Sequence, residues 1–139
     1  MRLVEYVMRF ERHLKGAMNL KSRDLRDYFI YNTLAMECFQ AANTLIDLAQ
    51  YVVAKKKLGF PSTYRELFEL LESGGYISED ELKTFKRLIF LRNLIAHEYY
   101  RISESELLEM VNLLEKCSDF VSRIKEATDL SALKDEDSS

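Results

Sequence analysis

Apolar residues recur at spacings of three and four along most of the chain, which is the pattern of amphipathic helices. Ser78-x-x-Glu81 and Ser103-x-x-Glu106 each have the form of a capping box at a helix start. Five stretches are predicted as helices: 3–18, Asp24 to about Lys57, Tyr64 to the Gly74-Gly75 pair, one from Ser78 and one from Ser103. We therefore expect an all-α bundle of about five helices.

The composition supports one helical domain. The chain of 139 residues has 1 Pro, 4 Gly and 47% hydrophobic residues, which leaves few helix breaks and suffices for one core. We expect the domain to span residues 1–130 and residues 131–139 to form an acidic, disordered tail. The net charge of -3 argues against binding of nucleic acid through bulk charge, but it leaves a local basic site open.

Several classes of protein are disfavoured by the same composition. No apolar run reaches the length of about 20 residues that spans a bilayer, and no signal peptide begins the chain, so a cytoplasmic protein without membrane contact is predicted. Cys38 and Cys117 are expected to be reduced and buried. With only 2 His and 2 Cys, no metal-ligand spacing occurs, and neither a metal nor a cofactor is expected. His13 is expected to be a solvated side chain.

The fourth helix combines apolar residues on all sides with three polar ones. Its apolar members are Leu88, Ile89, Phe90, Leu91, Leu94, Ile95 and Ala96. Such a helix has to be covered on more than one face, so we expect a homodimer with this helix in the interface. Within this stretch lie Arg92, Asn93 and His97.

Arg92 has a structural and a functional interpretation. A guanidinium among apolar side chains is unfavourable unless it is paired. A salt bridge to Glu37 or Asp47 on the second helix is the structural interpretation. Alternatively, these carboxylates belong to a polar stripe that lines a cleft and orients Arg92 for function; the stripe consists of Glu37, Gln40, Thr44 and Asp47. The residues themselves leave both open.

The segment Arg92-x4-His97-x-Tyr99 resembles the motif of the HEPN superfamily and, in its extended form, that of the HepT-like toxin subfamily. The order of the long second helix, the run 58–68, Gly75-Tyr76-Ile77 and the motif is also similar. The resemblance covers roughly residues 1–125. It implies a helical homodimer, RNA cleavage without a metal, and pairing with a minimal nucleotidyltransferase antitoxin.

Individual residues acquire roles from this resemblance and from their chemistry. Tyr99 occupies the place of the tyrosine that the antitoxin nucleotidylates, and Asn93 matches the polar residue that follows the arginine. His97 can transfer protons near neutral pH, and Arg92 has a planar charge that suits a phosphate. Arg101, just past the motif, and the lysines 55–57 are candidates to extend the phosphate-binding surface.

Helix geometry restricts how these side chains can meet. Arg92 and His97 are five residues apart, which places them about 140° apart around a regular helix. We expect either that the helix loosens before His97 or that two chains compose the site, and we favour a composite cleft in which two His97 side chains divide the acid and base roles.

The sequence leaves three functions open. The first is a metal-independent endoribonuclease toxin whose antitoxin modifies Tyr99. The second is a non-catalytic nucleotide-binding or partner subunit of a minimal nucleotidyltransferase. The third, a purely structural helical oligomer, is disfavoured by polar groups in an apolar interface.

Overall fold

Five α-helices make up most of the part of the chain that the structure describes. The computed structural model describes the backbone of residues 2–98 and 102–138, and the side chains of residues 3–97 and 102–127. The helices are α1 (Arg2–Leu20), α2 (Tyr28–Lys55), α3 (Tyr64–Ser73), α4 (Glu79–Glu98) and α5 (Glu104–Ser138). The all-α prediction is confirmed.

The expected capping boxes start α4 and α5. The backbone N–H of Glu81 donates to the Ser78 hydroxyl over 3.1 Å, and the N–H of Ser78 donates to the Glu81 carboxylate over 2.9 Å. The Ser103–Glu106 box has the same two distances. Each box satisfies two N–H groups that have no partner inside the helix, so these starts are set locally.

The start of α2 differs from the prediction. The Asp27 carboxylate accepts hydrogen bonds from the backbone N–H groups of Phe29 and Ile30, so the helix begins at Tyr28. Asp24, which was expected near its start, instead binds the backbone and side chain of Arg26. Two aspartates three residues apart are both good caps, and the competing contact of Asp24 decides between them.

The helix α2 runs through the centre of the bundle and packs against all four other helices. Three buried phenylalanines on the other helices contact one another. The ring centroids of Phe68 on α3 and Phe85 on α4 are 4.4 Å apart, and those of Phe85 and Phe120 on α5 are 5.4 Å apart. This cluster connects α3, α4 and α5.

The apolar positions of α4 are mostly covered within one chain. Leu88, Ile89, Leu91 and Ile95 are buried against α2, α3 and α5. Phe90 remains 43% exposed, with the Arg87 guanidinium 5.1 Å from its ring centre. Neighbouring helices therefore provide much of the cover that we expected from a second copy, and the homodimer stays a prediction.

The remaining expectations concern the cysteines, the membrane and the C-terminus. Cys38 and Cys117 are free thiols in the core, as predicted, and burial raises the pKa of Cys38 to about 12. None of the described helices is long and apolar enough to cross a membrane. The backbone of α5 continues to Ser138, beyond the last described side chain, and the acidic tail at 131–139 stays a prediction.

Candidate active site

A cleft of about 760 Å³ lies between α2, the loop that precedes α3, the first turn of α3, and α4. Its lining residues are Gln50, Pro61, Ser62, Thr63, Tyr64, Arg65, Leu67, Ile89, Arg92, Asn93 and His97. The three polar residues that the sequence placed in the fourth helix thus line the same cleft.

The helix α4 brings these residues together without any break. It is continuous from Glu79 to Glu98, so the loosening considered before His97 is not found. Asn93 and His97 are four residues apart and share a face. Arg92 starts from another face, but its Nη1 donates to the Asn93 Oδ1 over 3.0 Å. Arg92, Asn93 and His97 therefore line one cleft of a single chain, with Arg92 and Asn93 in direct contact.

Neutral groups hold the Arg92 guanidinium. Its Nε donates to the Asn43 Oδ1 over 2.9 Å, and Nη1 donates to Asn93. The centres of the Phe39 and Tyr64 rings lie 5.2 Å and 5.3 Å from the guanidinium carbon, within cation–π range. Among the described residues no carboxylate forms an ion pair with Arg92.

Glu37 and Asp47, the candidate carboxylate partners of Arg92, do not line the cleft. The Glu37 Oε2 is 3.1 Å from the His13 Nδ1, so this pair joins α2 to α1. His13 is therefore partly buried and paired, where a solvated side chain was expected. Asp47 does not line the cleft; burial raises the pKa of its carboxyl, and the charge of Arg9 partly offsets that effect.

The cleft is a local basic site in an acidic protein. Arg65 and Arg92 both line it, together with His97, and none of its described lining residues is an aspartate or glutamate. Thr63, which caps α3, and Tyr64 also line the cleft. The positive end of the α3 dipole therefore lies in its wall and adds to the favourable potential for an anion.

Sequence reasoning missed the residues that surround Arg92. Phe39 and Asn43 are four residues apart on α2, and Gln50 lies seven further on, so the three share one face of that helix. The sequence contains a weak signal for this face, because the polar Asn43 follows the aromatic Phe39 by one helical turn. Glu37, by contrast, lies on another face of α2, where it pairs with His13 of α1.

Two predicted site residues, Tyr99 and Arg101, lie outside the described residues. The described part of the chain has no group of three His, Cys, Asp or Glu side chains that are placed to hold a metal ion.

Comparison with known proteins identifies the family. A model of ribonuclease HepT-like proteins matches residues 3–124. The chain belongs to the HepT-like family. Its HepT-like relatives include the mRNA nuclease HepT of Shewanella oneidensis, which is 24% identical over 101 residues, or 72% of this chain and 76% of that protein.

Solved structures show the same fold. A toxin–antitoxin crystal structure with AMP-PNP superimposes with a TM-score of 0.82 at 20% identity, over 89% of this chain and 97% of that one. A tri-AMPylated HEPN toxin of Shewanella oneidensis in complex with an MNT antitoxin gives 0.81 at 21%, over 89% and 96%. The cytosolic protein YutE of Bacillus subtilis, of unknown function, gives 0.80 at 17%, over 94% and 90%. The HepT-like chain described here therefore has the HEPN fold.

Proposed function

We propose that this protein is a metal-independent endoribonuclease toxin of a toxin–antitoxin pair, with the cleft around Arg92 and His97 as its active site. The observation that carries the proposal is that Arg92, Asn93 and His97 line one basic cleft in a member of the HepT-like family. The similarity to an mRNA nuclease supports RNA as the substrate.

In the proposed reaction the 2′-oxygen of one nucleotide attacks the adjacent phosphorus, and the bond from phosphorus to the 5′-oxygen breaks. A base removes the proton of the 2′-hydroxyl, and an acid gives a proton to the leaving oxygen. The products are a 2′,3′-cyclic phosphate and a 5′-hydroxyl. His97 takes one of the proton-transfer roles, and Arg92 stabilises the charge on the pentacoordinate phosphate.

A homodimer through α4 supplies the second proton-transfer group in this proposal. One chain brings a single imidazole to the cleft, because His13 is paired with Glu37 on α1 and α2. His97 of the partner subunit would then complete the acid–base pair. The exposure of Ala96 and His97 in the last turn of α4 supports this dimer, because these side chains are free to contact a second copy. The partly exposed Phe90 on the same helix supports it too. A monomer in sedimentation equilibrium would contradict this arrangement.

The proposed regulator is a minimal nucleotidyltransferase antitoxin that modifies Tyr99. Support comes from the position of Tyr99 in the motif and from the fold shared with an AMPylated HEPN toxin in complex with an MNT antitoxin. We also propose that the pair acts in the cytoplasm. Intact mass of the protein after co-expression with its neighbouring nucleotidyltransferase should show added AMP, which the variant Tyr99→Phe should lack.

RNA cleavage in the presence of EDTA tests the active site directly. His97→Ala is expected to lower the rate at least ~100-fold, the low end of the usual contribution of acid–base catalysis. Arg92→Ala is also expected to lower it at least ~100-fold, the low end for loss of a group that stabilises transition-state charge. His13→Ala and Arg87→Ala are matched controls, because His13 pairs with Glu37 and Arg87 pairs with Glu109 on the surface, both outside the cleft lining. Both controls should cleave within a few-fold of the wild type.

Three results would contradict the proposal. Cleavage by His97→Ala at the wild-type rate would show that His97 takes no part in the reaction. Loss of cleavage in EDTA would show that the reaction needs a metal ion. Absence of cleavage by the wild type, together with nucleotide binding that depends on Arg92, would favour the non-catalytic binding subunit.

A further inference from the structure

We infer that Asn43 is a positioning residue for Arg92: its neutral amide fixes the guanidinium in the cleft and leaves the positive charge uncompensated for a phosphate of single-stranded RNA. The inference rests on the proposed ribonuclease function and deepens it. It concerns a residue on α2, outside the motif on α4.

The geometry around Arg92 immobilises the guanidinium on three sides. Asn43 accepts from Nε and Asn93 accepts from Nη1, at 2.9 Å and 3.0 Å. Phe39 and Tyr64 place their rings within 5.3 Å of the guanidinium carbon. The other N–H groups of this side chain have no partner among the described residues and are available to phosphate oxygens.

The other arginines in the described part of the chain whose side chains form hydrogen bonds differ from Arg92, because each of them pairs with a carboxylate. Arg26 pairs with Asp24, Arg87 with Glu109, and Arg123 with Glu81. Each of those charges is compensated by a carboxylate, whereas the contacts of Arg92 are two amide oxygens and two aromatic rings. Arg92 is also less exposed than Arg26, Arg87 and Arg123, so structural pairing alone would favour a carboxylate partner for it.

A neutral acceptor has a specific consequence for phosphate binding. A carboxylate at position 43 would hold the Nε equally well, through a shorter and stronger hydrogen bond. It would also cancel the charge that a phosphate needs. Asparagine orients the Arg92 guanidinium without cancelling its positive charge. An amide at position 43 therefore suits an arginine that binds an anion.

The test uses Asn43→Asp, which preserves the shape of the side chain, together with Asn43→Ala. We expect Asn43→Asp to be as stable as the wild type or more stable, and to lower kcat/KM for RNA cleavage at least tenfold. Asn43→Ala should be less stable than the wild type but should cleave RNA faster than Asn43→Asp. Asn112→Asp, on an exposed position of α5, adds the same charge outside the cleft and should behave as the wild type.

A binding measurement separates this inference from the cleavage proposal. The probe is a fluorescent single-stranded 2′-O-methyl oligoribonucleotide, which lacks the free 2′-hydroxyl required for cleavage. The slope of log affinity against log salt concentration should fall by about 0.7 in Asn43→Asp, the value for one phosphate contact on a single strand. A purely structural asparagine would not change this slope.

The outcomes are distinct. If Asn43→Asp cleaves RNA as fast as the wild type and the less stable Asn43→Ala cleaves more slowly, activity simply follows stability. Asn43 is then only structural, and the inference is overturned. If the wild type binds the oligonucleotide without cleaving RNA, the ribonuclease proposal fails and the salt slope still decides the role of Asn43. If the wild type does not bind the oligonucleotide, the inference is overturned too.

Discussion

Phe85 lies where the two walls of the cleft, α3 and α4, meet α5. Its side chain is 1% exposed, stacks on Phe68 and meets Phe120 edge-on. The substitution Phe85→Ala removes the ring that contacts both Phe68 and Phe120. We therefore expect a large loss of stability, since the cavity would lie where three helices pack together.

The size of the effect follows from burial. Truncating a buried phenylalanine to alanine costs about 3–5 kcal/mol, and two ring pairs at about 0.5–1.5 kcal/mol each place Phe85 in the upper half of that range. With about 2.1 cal/mol/K of unfolding entropy per residue, the 139 residues give about 0.3 kcal/mol/K. A loss of about 4 kcal/mol then lowers the thermal midpoint by roughly 13 °C.

Thermal unfolding followed by far-ultraviolet circular dichroism measures this loss. Phe60→Ala is the matched control, because it makes the same change at a side chain that is fully exposed and lies outside α4. We expect it to cost about 1 kcal/mol or less. If the two variants lowered the midpoint equally, or if Phe85→Ala lowered it by less than about 4 °C, the aromatic cluster would not be what holds α3 to α4.

Two further predictions concern groups outside the cleft. Burial raises the pKa of Asp47, with Arg9 offsetting part of the rise, so the charged carboxylate destabilises the folded state above that raised pKa. Asp47→Asn should therefore raise the thermal midpoint at pH 7, by an amount that shrinks as the pH falls from the raised pKa to the ordinary carboxyl pKa and is gone below it, and should leave RNA cleavage unchanged. A lowered midpoint or slower cleavage would contradict this. Cys38 and Cys117 are buried, and burial raises the pKa of both thiols, so a thiol reagent at pH 8 should modify them only after unfolding. Rapid labelling of the native protein, measured by mass, would refute their burial.

The helices and the position of the motif were predictable because local rules determine them. Apolar spacing and the Ser-x-x-Glu boxes act within a few residues, and both boxes form as expected. The four-residue separation of Asn93 and His97 on one helix is equally local. The predicted start of α2 at Asp24 was wrong, because Asp27 is also a good helix cap and only the other contacts of the two aspartates distinguish them.

By itself, then, the sequence determined five helices, their main caps, two buried thiols and the placement of Arg92, Asn93 and His97 on α4. Only the tertiary structure decided what surrounds Arg92. The packing of α2 against α4 brings Asn43 to the guanidinium, and the packing of α2 against α1 pairs Glu37 with His13. Helix crossing depends on how side chains from distant parts of the chain pack together, and spacing along one helix does not encode it.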